Sequence, residues 1–307
     1  MSRQLVVYSI CLNEIKFIER WCLKHKDADI LDVLDTGSTD GTWEKLNELA
    51  KLYTNLHISQ HKFDNFRFDI ARNFQLDLLK KYVDENAILF QIDIDEYITG
   101  ENWVDEIKSQ FKGDISYYDY IYSWTDDGRP CNRFLANKIH TFKKRWIGPI
   151  HEALEFEIGE NNIIKGITLE HHSTYKPSRE NYINLLRMRF IESPDDSRNV
   201  LYYGRELFFH KQYDKAIDIL LKYVNMKDAW IHEIGYACYI ISQCFLNKNM
   251  IAESYEWCIN ALEIDGLKMY VKDLKQKLVS YHYAHLLKFL NNYPLRIDKS
   301  SYYWDEA

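Results

Sequence analysis

Short apolar runs alternate with helical spacing along the first ninety residues, and each run ends in a polar cluster. Leu5 to Leu12 is apolar and β-branched. Ile15 to Lys26 follows with Ile15, Ile18, Trp21 and Cys22 on one helical face. Ile30 to Leu34 is a second run, and helical spacing resumes through Trp43, Leu46, Leu49 and Ala50. Leu56 to Ser59, a helix near Phe68 to Tyr82 and the strand Ala87 to Ile92 continue the series. Apolar strands alternating with helices predict an α/β fold: a mixed, mainly parallel sheet covered by helices on both faces. Ligands of such sheets bind beyond the carboxyl ends of the strands, so the polar clusters are the candidate site.

From Tyr117 to about His172 the pattern changes to shorter strands and loops, broken by Gly128-Arg129-Pro130 and Gly148-Pro149. Beyond Pro177 the sequence reads as helix throughout. Tyr203 to Val224 and Tyr236 to Ile264 look like one unit repeated, resembling degenerate tetratricopeptide repeats. Two domains are therefore expected, 1–175 with the sheet and 176–307 all-α, with a boundary near 173–180. The stripe Tyr202, Tyr203, Phe208, Phe209 and Tyr213 reads first as core. The helices could also hold an acceptor, form a homodimer or brace the first domain.

The 307 residues are long enough to bury a real core, and 46% hydrophobic with 28% charged residues excludes long disorder. A net charge of −7 lacks the field that gathers nucleic acid. It leaves only a local basic patch around Lys138, Lys143, Lys144 and Arg145 as a candidate. Six cysteines form no CxxC pair or zinc spacing, and no long apolar run or secretory signal appears. The expectation is reduced thiols, no transmembrane segment and a cytoplasmic location.

Two clusters carry chemistry. Gln91-Ile-Asp93-Ile-Asp95-Glu96 sets three carboxylates directly after an apolar strand. Strand alternation would send Asp93 and Asp95 to one side, where they repel unless a cation lies between them. Hard oxygen ligands favour Mg²⁺ or Mn²⁺, which also bridge a diphosphate; the alternative is a solvated acidic turn. In Asp35-Thr-Gly37-Ser38-Thr-Asp40-Gly41-Thr42, the glycines permit tight turns and Ser38 or Asp40 can cap the next helix. Asp35, just past a buried strand, could accept the N3–H of a uracil ring.

Taken in order, Cys11-Leu12-Asn13-Glu14, Asp35 to Thr42, Ala71-Arg72-Asn73 and Asp93-Ile-Asp-Glu96 resemble family 2 glycosyltransferases of the GT-A fold. The likeness covers roughly the first 175 residues. Trp146-Ile-Gly-Pro-Ile-His151-Glu152 and His171-His172 are similar to the subgroup with tetratricopeptide-like helices, which includes enzymes that glycosylate bacteriocin peptides or lipopolysaccharide core sugars. That subgroup commonly carries a lysine where this chain has Leu12.

The resemblance implies a UDP-sugar donor, glucose favoured, and a peptide, protein or glycan acceptor. Asp35 would hold the nucleobase, with Glu14 near the nucleoside and Arg72 near the donor phosphates. Asp93 would face the ribose or sugar; Asp95 and His171 would bind the metal. Glu152 would be the general base of an inverting transfer, contributing ~10²–10⁴-fold, and His151 would orient the acceptor or a phosphate. A plainer reading pairs Glu152 with Arg145 or Lys144 and makes His171-His172 a structural pair. Competing functions are a transferase acting on a modified DNA base, a non-catalytic scaffold, and a nucleotidyltransferase. The last lacks its Gly-rich loop, since Cys11-Leu-Asn-Glu14 stands there.

Overall fold

The computed structural model describes residues 3–155, 162–172 and 182–264. Strands β1 (Leu5–Cys11), β2 (Ile30–Asp35) and β3 (Leu56–Gln60) alternate with helices α1 (Ile18–His25), α2 (Thr42–Leu52) and α3 (Phe68–Leu79). Then come β4 (Ile88–Gln91), β5 (Glu96–Thr99), α4 (Trp103–Gln110), β6 (Ile115–Trp124), β7 (Pro130–His140), β8 (Trp146–Ile147), β9 (Ala153–Leu154) and β10 (Asn162–His171). Helices α5 (Tyr182–Glu192), α6 (Ser197–Phe209), α7 (Tyr213–Val224), α8 (Ile231–Asn247) and α9 (Ile251–Glu263) follow.

Eight strands form one sheet in the order β3-β2-β1-β4-β7-β6-β10-β5. β1 lies parallel to both β2 and β4, β2 to β3, and β6 to β10, whereas β7 and β5 run antiparallel to their neighbours. This is the mixed, mainly parallel α/β sheet that the alternating pattern predicts.

β1 and β2 are buried at every position, as continuous apolar runs covered on both sides must be. Leu5, Val7, Leu31, Val33 and Phe90 face a core with Ile18 and Trp21 of α1, Leu46 and Leu49 of α2 and Ile107 of α4. Val6, Tyr8 and Leu89 face the opposite core with Leu76 and Leu79 of α3. A one-residue slip would exchange these faces, so the alternating pattern fixes the register.

The second half departs from expectation. Instead of shorter strands, β6, β7 and β10 have 10, 11 and 10 residues. The first six residues of β7 are exposed, which hides the apolar alternation that marks a strand.

By packing, the chain divides into two compact units, Met1–Arg189 and Phe190–Ala307. The expected domain boundary near 173–180 lies outside the described residues. In the second unit, α6–α7 and α8–α9 are joined by the same turn. Lys211 and Asn249 both take a left-handed φ of 59°. Gln212 N bonds Leu207 O and Met250 N bonds Phe245 O, closing both helices in the same way. Two helical hairpins with matching turns thus lie over the stretches where the sequence suggests a repeated unit. No helix of the described residues is long and apolar enough to cross a membrane, and all six cysteines are free thiols.

Candidate active site at the strand ends

Two polar loops are laced together beyond β1 and β2. Ser38 Oγ accepts from Asn13 N (2.8 Å), Asn13 Oδ1 from Thr39 N (2.8 Å), Thr42 Oγ1 from Glu14 N (2.8 Å) and Asp40 Oδ2 from Ile15 N (3.3 Å). Asn13 can close this knot because it sits at φ 60°, a region that asparagine tolerates. Asp40 also accepts from Thr42 N, so it ties the start of α2 to the first loop.

Asp35 ends β2 fully enclosed. Its Oδ1 accepts from Gly37 N (2.9 Å), Ser38 N (3.0 Å) and Gln60 Nε2 (3.0 Å), while Cys11 Sγ lies 3.6 Å from Oδ2. Burial opposes its ionisation, but these donors outweigh burial and hold its pKa below the ordinary value. Asp35 therefore organises the glycine turn, and Oδ2 is the oxygen with capacity left.

The acidic segment does not continue the strand. β4 stops at Gln91, and Asp93 and Asp95 go to different partners, correcting the expectation that both flank one cation. Asp93 Oδ1 accepts from Arg72 Nη2 (2.9 Å) and Gln91 Nε2 (2.8 Å), and its Oδ2 from Lys138 Nζ (3.0 Å). Burial works against the charge, yet Lys138 and Arg72 hold this carboxyl well below the usual range. Asp93 thus lies between two cations, with its side chain 36% exposed. Lys138 also reaches Glu96 Oε2 (3.5 Å), and Tyr120 Oη donates to Glu96 Oε1 (2.5 Å).

Asp95 takes a different partner. Its Oδ2 lies 3.0 Å from His171 Nε2, delivered by the end of β10, where His171 stands opposite Glu96 of β5. His171 Nδ1 donates to Tyr122 O (2.9 Å), and its ring stacks on Tyr122 at 5.3 Å. The Asp95 carbonyl accepts from Arg20 Nη2 (3.1 Å) and His172 N (3.1 Å), which fixes the loop. Burial lowers the His171 pKa, but the bond and charge of Asp95 prevail and lift it to about 9. His172 turns elsewhere, stacked between Tyr97 (4.8 Å) and Trp124 (4.9 Å) with Glu170 Oε2 at 2.9 Å. Of the two histidines, one faces the acidic loop and the other is structural.

Helix α3 grips the Trp146–Glu152 loop through one face. Asp69 Oδ2 accepts from Gly148 N (2.9 Å), Asn73 exchanges two bonds with the Trp146 backbone (2.8 and 3.0 Å), and Arg72 Nε donates to Glu152 Oε1 (2.6 Å). Glu152 therefore pairs with Arg72, not with Arg145 or Lys144 as the plainer reading has it. Arg72 is 3% exposed and bridges Glu152 and Asp93. Its guanidinium lies 5.1 Å over the Trp146 ring, and Trp146 Nε1 donates to Tyr8 Oη (2.8 Å), itself 2.7 Å from His140 Nε2. Arg72 Nη1 and Gln91 Oε1 are buried with no partner. His151 is exposed at φ 49° between Ile150 and Glu152.

Glu14 completes the cluster. Burial, then the charges of Asp95, Asp93 and Asp40, push its carboxyl up to about 7. The basic patch does not form: Lys138 serves Asp93, Lys143 pairs with Asp114 (3.3 Å), Arg145 with Asp77 (2.7 Å), and Lys144 is buried.

Among the described residues no group of three or more His, Cys, Asp and Glu side chains forms a ready-made metal cage. Asp95 and His171 offer one carboxylate oxygen and one imidazole nitrogen, a mixed pair that suits a transition metal such as Mn²⁺, whereas Mg²⁺ favours oxygen ligands. The Nδ1–H bond to Tyr122 turns Nε2 toward Asp95 Oδ2.

Sequence reasoning missed Tyr120 and Asp69, and it named Gln91, Lys138 and Trp146 without giving them a place around Arg72 and Asp93. Asp69, Arg72 and Asn73 carried a signal, since spacing of three and four residues places them on one helical face. Lys138 carried none. It lies where β7 gains an extra residue against β6, between Tyr118↔Ala136 and Ser116↔Ile139, a bulge that re-aims side chains.

The chain matches no protein-family profile and no curated protein. It is similar to the crystal structure of S. aureus TarS at 13% identity and a TM-score of 0.41, over 84% of this chain and 54% of that one. The chain thus spans about half the length of that protein. Against a 1–349 fragment of TarS, identity is 14% and TM-score 0.41, covering 84% and 88% of the two chains. It is also similar to GalNAc-T7 crystallised with UDP, GalNAc and Mn²⁺, at 11% identity and a TM-score of 0.41, over 63% of this chain and 50% of that one.

Proposed function

We propose that this chain is a metal-dependent, inverting glycosyltransferase that moves a hexose from a UDP-sugar to an acceptor hydroxyl or thiol. The observation that carries the reading is the Asp95–His171 pair, 3.0 Å apart, with Glu152 held by Arg72 on the same acidic loop's other partner, Asp93. A carboxylate excess around Asp95, which also raises Glu14, calls for a cation.

Asp95 and His171 would hold Mn²⁺ or Mg²⁺, and a cation there neutralises charge on the departing diphosphate. The laced loops beyond β1 and β2 would receive the nucleoside, with Asp35 Oδ2 accepting from the base. Glu152 would take the acceptor's proton on Oε2, because Arg72 occupies Oε1. As the acceptor oxygen or sulfur bonds to the anomeric carbon, the bond from that carbon to the diphosphate oxygen breaks on the opposite face. Arg72 positions the base and Asp93 positions Arg72. His151, exposed beside Glu152, would orient the acceptor.

Calorimetry with UDP, with and without Mn²⁺, tests this directly. Binding should require the metal and disappear in Asp95→Ala. Glu152→Gln should bind UDP normally and lower transfer by about 10²-fold or more. Metal-independent binding, or normal transfer by Glu152→Gln, contradicts the assignment.

A further inference from the structure

Glu152 stands on a ribbon that lies outside the eight-stranded sheet. β8 and β9 form a separate two-stranded sheet, Trp146 opposite Leu154 and Ile147 opposite Ala153, and residues 148–152 make the turn between them. Side chains must therefore fix where the ribbon lies. Asp69 and Asn73 tie it to α3. Trp146 ties it to the large sheet, because its indole reaches Tyr8 of β1.

The polarity of that tie follows from which groups can only give and which can only take. Thr141 O is a carbonyl, so the 2.9 Å bond from His140 Nδ1 places the ring proton on that nitrogen. Burial pushes the His140 pKa down to about 4, so at neutral pH Nε2 carries no proton and accepts. Tyr8 Oη, 2.7 Å away, must then donate to it. The Tyr8 oxygen is left as an acceptor, and Trp146 Nε1–H, which can only donate, fills it at 2.8 Å. His140 stands edge-on to both Tyr8 (73°) and Trp146 (89°), and all three side chains are buried, so the bonds are shielded from solvent.

This series of bonds ends at Glu152. The Arg72 guanidinium lies 5.1 Å over the indole ring and gives its Nε–H to Glu152 Oε1 at 2.6 Å. A tilt of the indole would take the ring face from beneath Arg72 and loosen its hold on Glu152. The Tyr8 ring packs in the core with Leu76 and Leu89, a place that phenylalanine would also fill, so the hydroxyl is the part that serves the series. We infer that Tyr8 is a positioning residue for Glu152, acting through Trp146 and Arg72 and itself oriented by His140. The role of Glu152 as base rests on the transferase reading; the hold of Tyr8 on Arg72 does not.

Tyr8→Phe and Trp146→Phe each delete one end of the 2.8 Å bond and keep a ring in the core. In the full chain, ¹H–¹⁵N NMR reads exchange of the Arg72 Nε–H with water, with the backbone amides of β2 as the global reference. Exchange should quicken about tenfold in both variants while the β2 amides keep the parent rates. In the parent, the His140 ¹⁵N shifts should place the proton on Nδ1; a proton on Nε2 breaks the series and overturns the proposal. Hydrolysis of UDP-glucose with Mn²⁺, water standing in as acceptor, should lose about tenfold in kcat with KM within about twofold. In a Glu152→Gln background, Tyr8→Phe should cost nothing further, since the group that it positions is gone. Arg72 exchange that is unchanged, or that quickens only as much as the β2 amides, overturns the proposal. So does an equal loss of kcat in the Glu152→Gln background. If exchange quickens locally but UDP and Mn²⁺ neither bind nor react, the hold on Arg72 stands and the transferase reading falls. If the parent hydrolyses UDP-glucose and both variants match its kcat, the positioning is wrong and the transferase reading stands.

Discussion

Arg72 is the side chain on which the candidate site turns. It is a buried cation with one carboxylate on each side, and its second bond reaches across 80 residues of sequence to Glu152. Removing one member of a buried ion cluster leaves uncompensated charge, and such losses cost about 3–5 kcal/mol. Arg72→Met should therefore destabilise the fold by about 3 kcal/mol in urea unfolding, the low end because Lys138 still serves Asp93. A loss under about 1 kcal/mol would mean that the bridge is not formed in solution. The polar segments that hold Asp35, Glu14 and Asp95 were legible because they follow apolar strands. The bridge was not, since nothing local in the sequence tells Arg72 which carboxylates the fold will bring to it. Asp93 shows the same limit: strand alternation fails once β4 ends two residues before it.

At the level of elements, the parallel half of the sheet was readable because β1, β2 and β4 are buried throughout. The antiparallel half was not, for β7 is exposed over Pro130–Leu135 and carries a bulge that no residue type announces. The helical hairpins were readable through their small residues. Gly204 on α6 shows why: a Cβ there would lie 2.7 Å from Leu220 Cδ2 and Cγ on α7. Alanine normally favours a helix over glycine by about 0.5–1 kcal/mol. Overpacking costs about 1–3 kcal/mol and should win here. Gly204→Ala should lower the thermal midpoint of the chain, and an unchanged or raised midpoint would show that α6 and α7 can move apart. The second hairpin is held differently, by Ser242 and Ser254, each donating to the other's carbonyl (2.8 and 2.9 Å).

For the whole molecule, a net charge of −7 is spread unevenly. Arg72 and Lys138 balance Asp93 and Glu96, leaving Asp95, Glu14 and Glu152 as carboxylates with one histidine and one shared guanidinium among them. One cation beside Asp95 is the feature that would unite the laced loops with the acidic segment. Diffraction at the manganese edge from crystals grown with UDP and Mn²⁺ measures that cation directly. One anomalous peak is expected within about 2.3 Å of both an Asp95 carboxylate oxygen and His171 Nε2, with the diphosphate completing its sphere. A UDP-bound crystal with no peak there, and Asp95 still bonded to His171, would contradict the account.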